Sequence, residues 1–211
     1  MKIGVCIPMY GYIPADSVRD MLGLAYGLGK NHEDKTTGIE VELFNVTGCF
    51  VSDAREKLSV RAEKEGCDYI LWLDADHTFS PDDIIEFIVR YLEQNKYDIV
   101  GAKYVHRTDP TKVCAGDFNE KNRVVFLDAE EWKDKEVGYK EIQLLGFGCT
   151  IMPVSICKQM REEYGKAFRV VDEGSRFIGE DVWFFNKVRN KSWSVGLDTD
   201  LLIGHFGGVL K

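Results

Sequence analysis

The sequence predicts an α/β domain built on a mixed, mostly parallel central sheet flanked by helices. Three observations predict it. Residues 2–104 alternate short β-branched runs with helical stretches in the order βαβαβαβ, the pattern of a doubly wound sheet. The continuous apolar run Tyr69-Ile70-Leu71-Trp72-Leu73 ends abruptly in Asp74-Ala75-Asp76, as a buried strand does where it leaves the core. Hydrophobic residues make up 45% and charged residues 29% of 211 positions, enough for one substantial core.

The elements follow in order. Lys2-Ile3-Gly4-Val5-Cys6-Ile7 is a short strand closed by Pro8, and the loop after it, Met9 to Pro14, is aromatic and turn-rich. Asp16 or Ser17 is expected to cap a helix running to about Gly29, with Val18, Met21, Leu22, Leu24 and Ala25 as its apolar stripe. Residues 30–38 are polar and read as a loop, and 39–46 alternate as a second strand. Ser52 is expected to cap the next helix, which carries Ala54, Leu58 and Ala62 on one face and stops near Gly66. The apolar run ending at Leu73 is the third strand. Ser80-Pro81-Asp82-Asp83 then starts a helix: the serine caps, the proline suits the first turn, and the acids meet the positive helix end. Ile84, Ile85, Ile88, Tyr91 and Leu92 supply its buried stripe, and residues 98–104 form a fourth strand. Beyond it, strands are expected at 123–127, 137–145 and 148–152, and helices at 154–164 and 180–189, before Leu201-Leu202-Ile203 runs into Gly204-His205-Phe206-Gly207-Gly208. No linker, repeat or change of composition divides the chain, so residues 1–211 read as one domain, standing alone or cut from a longer chain.

Charge excludes some partners. A formal charge of −8 and a pI near 5.1, with no basic stripe, argue against a nucleic-acid partner. No apolar run approaches the roughly 18 residues of a membrane span. The apolar stretch at the N-terminus is too short for a signal peptide. The 6 cysteines are scattered without a CxxC pair and read as small buried hydrophobes of a reducing compartment. A soluble, cytoplasmic protein is therefore expected.

Two acidic centres carry the chemistry. Asp74 and Asp76 repel each other unless a positive group stands between or before them, and hard oxygen ligands suit a divalent cation, Mg²⁺ or Mn²⁺. Gly179-Glu180-Asp181 opens an amphipathic helix, where the acids either complement the helix dipole or serve as a base. His205 lies between glycines and is either structural or a further metal ligand, one that would favour Mn²⁺. Arg55, in the first turn of its helix, is either solvated or a contact for a phosphate. Asp53 either bonds a base or caps the helix. Tyr10 and Tyr12 suit base stacking or loop packing. Gly148, in Gly146-Phe147-Gly148-Cys149, lets the backbone approach a sugar. Lys103 and Arg107 follow the fourth strand, where phosphate or acceptor could meet them, whereas His77 and His106 have no identifiable partner.

As an ordered set these features resemble the GT-A nucleotide-sugar glycosyltransferases over most of the chain. The set is a first strand ending in Pro8-Met9-Tyr10, an Arg55-bearing helix, an apolar strand feeding Asp74-Ala75-Asp76, a glycine-rich strand, Glu180-Asp181 and a late His205. Within that family the chain most resembles small soluble domains of virus- and bacterium-encoded glycosyltransferases, with the N-terminal domain of a large chlorovirus enzyme the specific likeness. The resemblance implies a Rossmann-like GT-A fold and metal-dependent transfer of a hexose from a UDP-sugar to a hydroxyl acceptor, a glycan or glycoprotein. It implies Asp74, Asp76 and His205 around the metal, with Asp76 in direct contact and Asp74 on the ribose or a metal-bound water. It places Pro8, Tyr10, Tyr12, Asp53, Arg55, Asp74 and Gly148 on the donor. Asp181 becomes the base of an inverting reaction, with Glu180 as alternative base or acceptor ligand.

Two rival readings remain at this level. Asp74-Ala75-Asp76-His77-Thr78 also fits the D-x-D-x-T motif of haloacid-dehalogenase-type phosphatases, with Asp74 as nucleophile. That motif normally lies on the first strand, and the later acidic pair it needs has no second aspartate after Gly179-Glu180-Asp181. The other rival is a nucleotide-sugar-binding module without turnover.

Overall fold

The computed structural model describes residues 1–9, 11–33, 38–130, 138–172, 174 and 177–205. Tyr10, the loop positions 34–37, the first residue of the strand expected at 137–145, and Phe206 to Gly208 lie outside the described residues. Strand β1 (Lys2–Pro8) leads to helix α1 (Ala15–Glu33), then β2 (Glu40–Val46), α2 (Val51–Lys64) and β3 (Tyr69–Leu73). A two-residue strand β4 (His77–Thr78) precedes α3 (Pro81–Gln94) and β5 (Ile99–Lys103). Next come β6 (Lys112–Phe118), β7 (Val124–Asp128), β8 (Tyr139–Glu141), β9 (Leu144–Leu145), β10 (Cys149–Pro153) and α4 (Val154–Tyr164). The described chain closes with β11 (Val171–Asp172), β12 (Phe177–Ile178), α5 (Glu180–Val188), β13 (Val195–Leu202) and β14 (Gly204–His205).

The main sheet has seven strands in the order β2-β1-β3-β10-β5-β13-β8. β1 pairs in parallel with β2 and β3, and β5 with β13, whereas β10 runs antiparallel between β3 and β5. Side chains alternate across it. Ile3, Val5, Ile7, Leu71 and Leu73 pack with Leu24 of α1 and Ile84, Phe87 and Ile88 of α3. Cys6, Ile70, Trp72 and Met152 face the other way, onto Leu58 and Ala62 of α2, Cys157 and Met160 of α4, and Phe184 and Phe185 of α5. This is a three-layer α/β arrangement. No helix among the described residues is long and apolar enough to cross a membrane.

Several boundaries differ from expectation. Neither Asp16 nor Ser17 caps α1. The chain enters the helix from Pro14, whose carbonyl accepts from Val18 N–H at 3.0 Å, so Asp16 falls in the first turn and Ser17 is buried. Residues 30–33, expected as loop, complete that helix. Ser52 does not cap α2 either: extended Phe50 holds the cap position and Ser52 is buried within the first turn. Ser80 does cap α3, its hydroxyl accepting from Asp83 N–H at 3.4 Å, with Pro81 following. The strand expected at 137–145 is two strands in different sheets, β8 against β13 and β9 against β6. Two long strands, β6 and β13, were not expected at all.

Candidate active site

The carboxyl ends of the parallel strands converge on one cleft of 870 Å³. β1 brings Pro8, β3 brings Asp74 and Asp76, β5 leads to Tyr104, His106 and Arg107, and β13 leads through Ile203 to His205. The starts of α2 (Phe50, Val51) and α5 (Glu180, Asp181) complete the wall, with Gly146 and Phe147 ahead of β10. Ligands of open α/β sheets bind at this edge.

The two aspartates serve different partners. Asp74 is fixed through its backbone, its N–H donating to Gly148 O at 2.9 Å. Its carboxylate accepts from Arg55 Nη2 at 2.8 and 3.1 Å. Arg55 is not solvated: it is buried, 5.5 Å from the Trp72 ring centre and 5.2 Å from that of Phe147. Its Nε also meets Glu180 Oε1 at 3.4 Å. One arginine thus ties the strand-end acid to the helix-start acid.

Asp76 faces three cations or potential cations. Its Oδ1 lies 3.3 Å from His77 Nδ1 and its Oδ2 lies 3.4 Å from His205 Nε2, while Arg107 donates a close hydrogen bond to Oδ2. The late histidine arrives because β14 pairs antiparallel with β4, setting His205 opposite His77. Gly204 permits that approach, since a Cβ there would stand 2.3 Å from Thr78 Oγ1. The two imidazoles stack 4.6 Å apart at 16°. His205 Nδ1 bonds the Val105 carbonyl at 3.0 Å, so Nδ1 carries the proton and Nε2 points toward Asp76. Burial opposes ionisation of Asp76, but the flanking imidazoles of His205 and His77 outweigh it and hold the carboxyl far below its usual range. For His205 burial pulls down, while Asp76 and the Val105 carbonyl pull up more strongly, so its net direction is upward.

Asp76, His77 and His205 offer ligand atoms within 4.8 Å of one another. Neither ring nitrogen of the buried His77 has a hydrogen-bond partner, its approach to Asp76 being poorly aligned. A carboxylate with two imidazoles, one of them unpaired, suits a divalent ion such as Mn²⁺. Asp74 is not in this group, because Arg55 claims its carboxylate. His77, for which the sequence offered no partner, is.

Asp181 lines the cleft and is half-buried. Its Oδ1 accepts from Val182 N–H at 2.7 Å, and a Cβ on Gly179 would come within 2.9 Å of that oxygen. Burial, with Glu180 beside it, raises its pKa to about 6. Cys114, which also lines the cleft, is pushed by burial up to about 12.

Other expected donor residues scatter. Pro8 and Tyr12 line the cleft, and Tyr12 is fully exposed. Phe50 lines it too, 76% exposed, and nothing in the sequence marked it. Asp53 neither caps α2 nor lines the cleft. It is in the first turn of that helix, and it pairs with Lys166 at 3.4 Å. Gly148 is buried and is not among the residues lining the cleft. A Cβ there would stand 2.6 Å from His77 and 2.7 Å from Tyr104, whose hydroxyl accepts from Gly148 N–H at 2.8 Å. That glycine seats His77 instead.

The family model described as Glycosyl transferase family 2 matches residues 60–159, just under half of the chain and including both aspartates of the motif. No curated protein sequence matches. Among solved structures, A197 from STIV is similar at a TM-score of 0.59 and 20% identity, over 98% of this chain and 86% of that one. GalNAc-T7 with UDP, GalNAc and Mn²⁺ gives 0.58 and 12%, over 97% of this chain and 44% of that one. TarS from S. aureus with UDP-GlcNAc gives 0.52 and 12%, over 98% of this chain and 58% of that one. The chain thus spans about half of the latter two. The fold is that of the GT-A glycosyltransferases, and with the family match it supports a glycosyltransferase.

Proposed function

We propose that this chain is a metal-dependent, inverting glycosyltransferase that moves a hexose from a UDP-sugar to the hydroxyl of a glycan or glycoprotein. The observation that carries the reading is the meeting, in one cleft, of a cation-binding group (Asp76, His77, His205) with a separate carboxylate, Asp181, raised to about 6. UDP as carrier is supported by its presence in the similar GalNAc-T7 structure and, as UDP-GlcNAc, in that of TarS. The acceptor class, a glycan or glycoprotein, is carried over from the resemblance of the sequence to the GT-A family.

The division of labour follows from the contacts. Asp76, His77 and His205 would hold the ion, which when bound offsets charge on the departing diphosphate. Tyr12 and Phe50, exposed at the cleft mouth, offer flat apolar surface to the uracil. Arg55 keeps Asp74 aimed into the cleft and holds Glu180 aside. Asp181 is left as the unpaired carboxylate. It accepts the acceptor hydroxyl's proton while that oxygen bonds the anomeric carbon, and the bond to the diphosphate breaks with its electron pair going to the phosphate oxygen. A pKa of about 6 keeps it ionised at neutral pH yet basic enough to serve.

The same contacts disfavour a phosphatase. With Arg55 across both its oxygens, Asp74 is not a free nucleophile. The test is a screen of nucleotide sugars for Mn²⁺-dependent donor hydrolysis and transfer. UDP release is expected from the native chain and should be lost in Asp76→Ala. Asp181→Ala should bind donor normally but transfer nothing. Release persisting in Asp76→Ala would sink the metal assignment, cleavage of a plain phosphate monoester without response to any nucleotide sugar would favour the phosphatase, and donor binding without turnover would identify a binding module.

A further inference from the structure

The cleft has an unusual charge arrangement. Its described lining carries four carboxylates, Asp74, Asp76, Glu180 and Asp181, but only two permanent cations, Arg55 and Arg107. Arg55 is buried and committed to Asp74 and Glu180. Arg107 is different: its side chain is 55% exposed and its contact is the Asp76 carboxylate, the same group that would ligate a divalent ion.

The turn that carries Arg107 is held by its neighbours, whereas its exposed side chain is held by Asp76. Val105 bridges Val113, His106 N–H donates to Lys112 O at 2.9 Å, Lys112 N–H donates to Asp109 O at 3.0 Å, and Cys114 N–H donates to Tyr104 O at 2.8 Å. Arg107 therefore stands on a pinned turn, and its 55%-exposed side chain can rotate while the backbone stays in place. A divalent ion and a guanidinium on one carboxylate repel each other, so an ion on Asp76 competes with the arginine for it. A diphosphate arriving with that ion adds negative charge to a cleft already rich in carboxylates, and a planar guanidinium matches phosphate oxygens.

We propose that Arg107 is a two-position cation: it pairs with Asp76 when no ion is bound there, and on metal binding it swings to hold the donor's diphosphate. The inference rests on the donor reading above. It predicts effects of opposite sign from one substitution, which a merely structural arginine would not produce.

The test is calorimetric titration of the native chain and Arg107→Ala with Mn²⁺ alone, then with UDP at saturating Mn²⁺, with Asp76→Ala as control and circular dichroism melting to confirm folding. Mn²⁺ alone should bind Arg107→Ala about threefold to tenfold more tightly, because a competitor for Asp76 is gone. UDP should bind it at least about tenfold more weakly, because a charge-assisted contact is lost. Arg107→Lys should recover part of the UDP affinity. Mn²⁺ affinity unchanged or weakened in Arg107→Ala overturns the first position, and unchanged UDP affinity overturns the second; either leaves the donor reading standing. A native chain that binds neither Mn²⁺ nor UDP overturns the donor reading and this inference with it.

Discussion

Arg55 is the side chain on which the two acidic centres depend. Replacing it with methionine keeps the packing against Trp72 and Phe147 but leaves Asp74 and Glu180 facing each other without a cation. We expect a loss of about 3 kcal/mol in urea unfolding, the low end for breaking a buried pair because both acids still open to the cleft. Asp181 has a pKa raised by burial to about 6. Folded protein holds the proton up to about pH 6, unfolded chain only to its ordinary 3.8, so stability falls as pH rises between these values. Asp181→Asn should therefore melt higher than the native chain at pH 8, with the gain gone below pH 4. Its turnover should drop roughly a hundredfold or more. In the native chain kcat/KM should rise with pH through about 6. These acids were legible because each stands where a predictable element ends or begins. Of the partners of Asp76 only His205 was legible, as a candidate metal ligand. His77 is set opposite it by a strand pair two residues long, and Arg107 arrives by a turn, and neither leaves a pattern in the sequence.

Elements with one clean periodicity were legible, and those whose residues answer to distant partners were not. The β3 run and the Ser80-Pro81 start of α3 obey local rules and stand where expected. β13 carries Asp198, Thr199 and Asp200 in its middle and reads as a loop. Its Asp198 is nonetheless fully buried, bound by Arg90 of α3 at 2.6 Å and by the N–H groups of Asp200 and Leu201. β6 contains Gly116, where a Cβ would come within 2.3 Å of Val125 O, so the residue that makes the strand pair also hides it. Asp16, Ser17 and Ser52 misled because a serine or aspartate near a helix start is a cap only if the chain enters at that residue. The junction of β3 with β10 offers a direct check. Gly148→Ala should displace His77 and Tyr104, costing roughly 1–3 kcal/mol and weakening Mn²⁺ binding measured by calorimetry, while leaving the α-helical dichroism unchanged.

For the molecule as a whole, the cleft is lined by residues that end or follow β1, β3, β5 and β13 and by the starts of α2 and α5, so filling it should tie these elements together. Mn²⁺ with UDP, each at about a hundred times its dissociation constant, should add roughly 2.7 kcal/mol or more and raise Tm by about 5–10 °C, reversed by EDTA. The fold class was readable from the first half of the chain, where strand and helix alternate. The sheet order was not, because β10 departs from that alternation by entering antiparallel between β3 and β5. That insertion bears on how the chain is made. During synthesis β1, β2, β3 and β5 leave the ribosome well before the strand that joins them. Until Pro153 has emerged, the apolar edge of β3 has no neighbour on one side, which is a template for association between nascent chains. A fragment ending at Tyr104 should accordingly sediment as aggregate, and the whole chain should refold slowly and need dilution or a chaperone, since its central pairing waits on a residue far along the message.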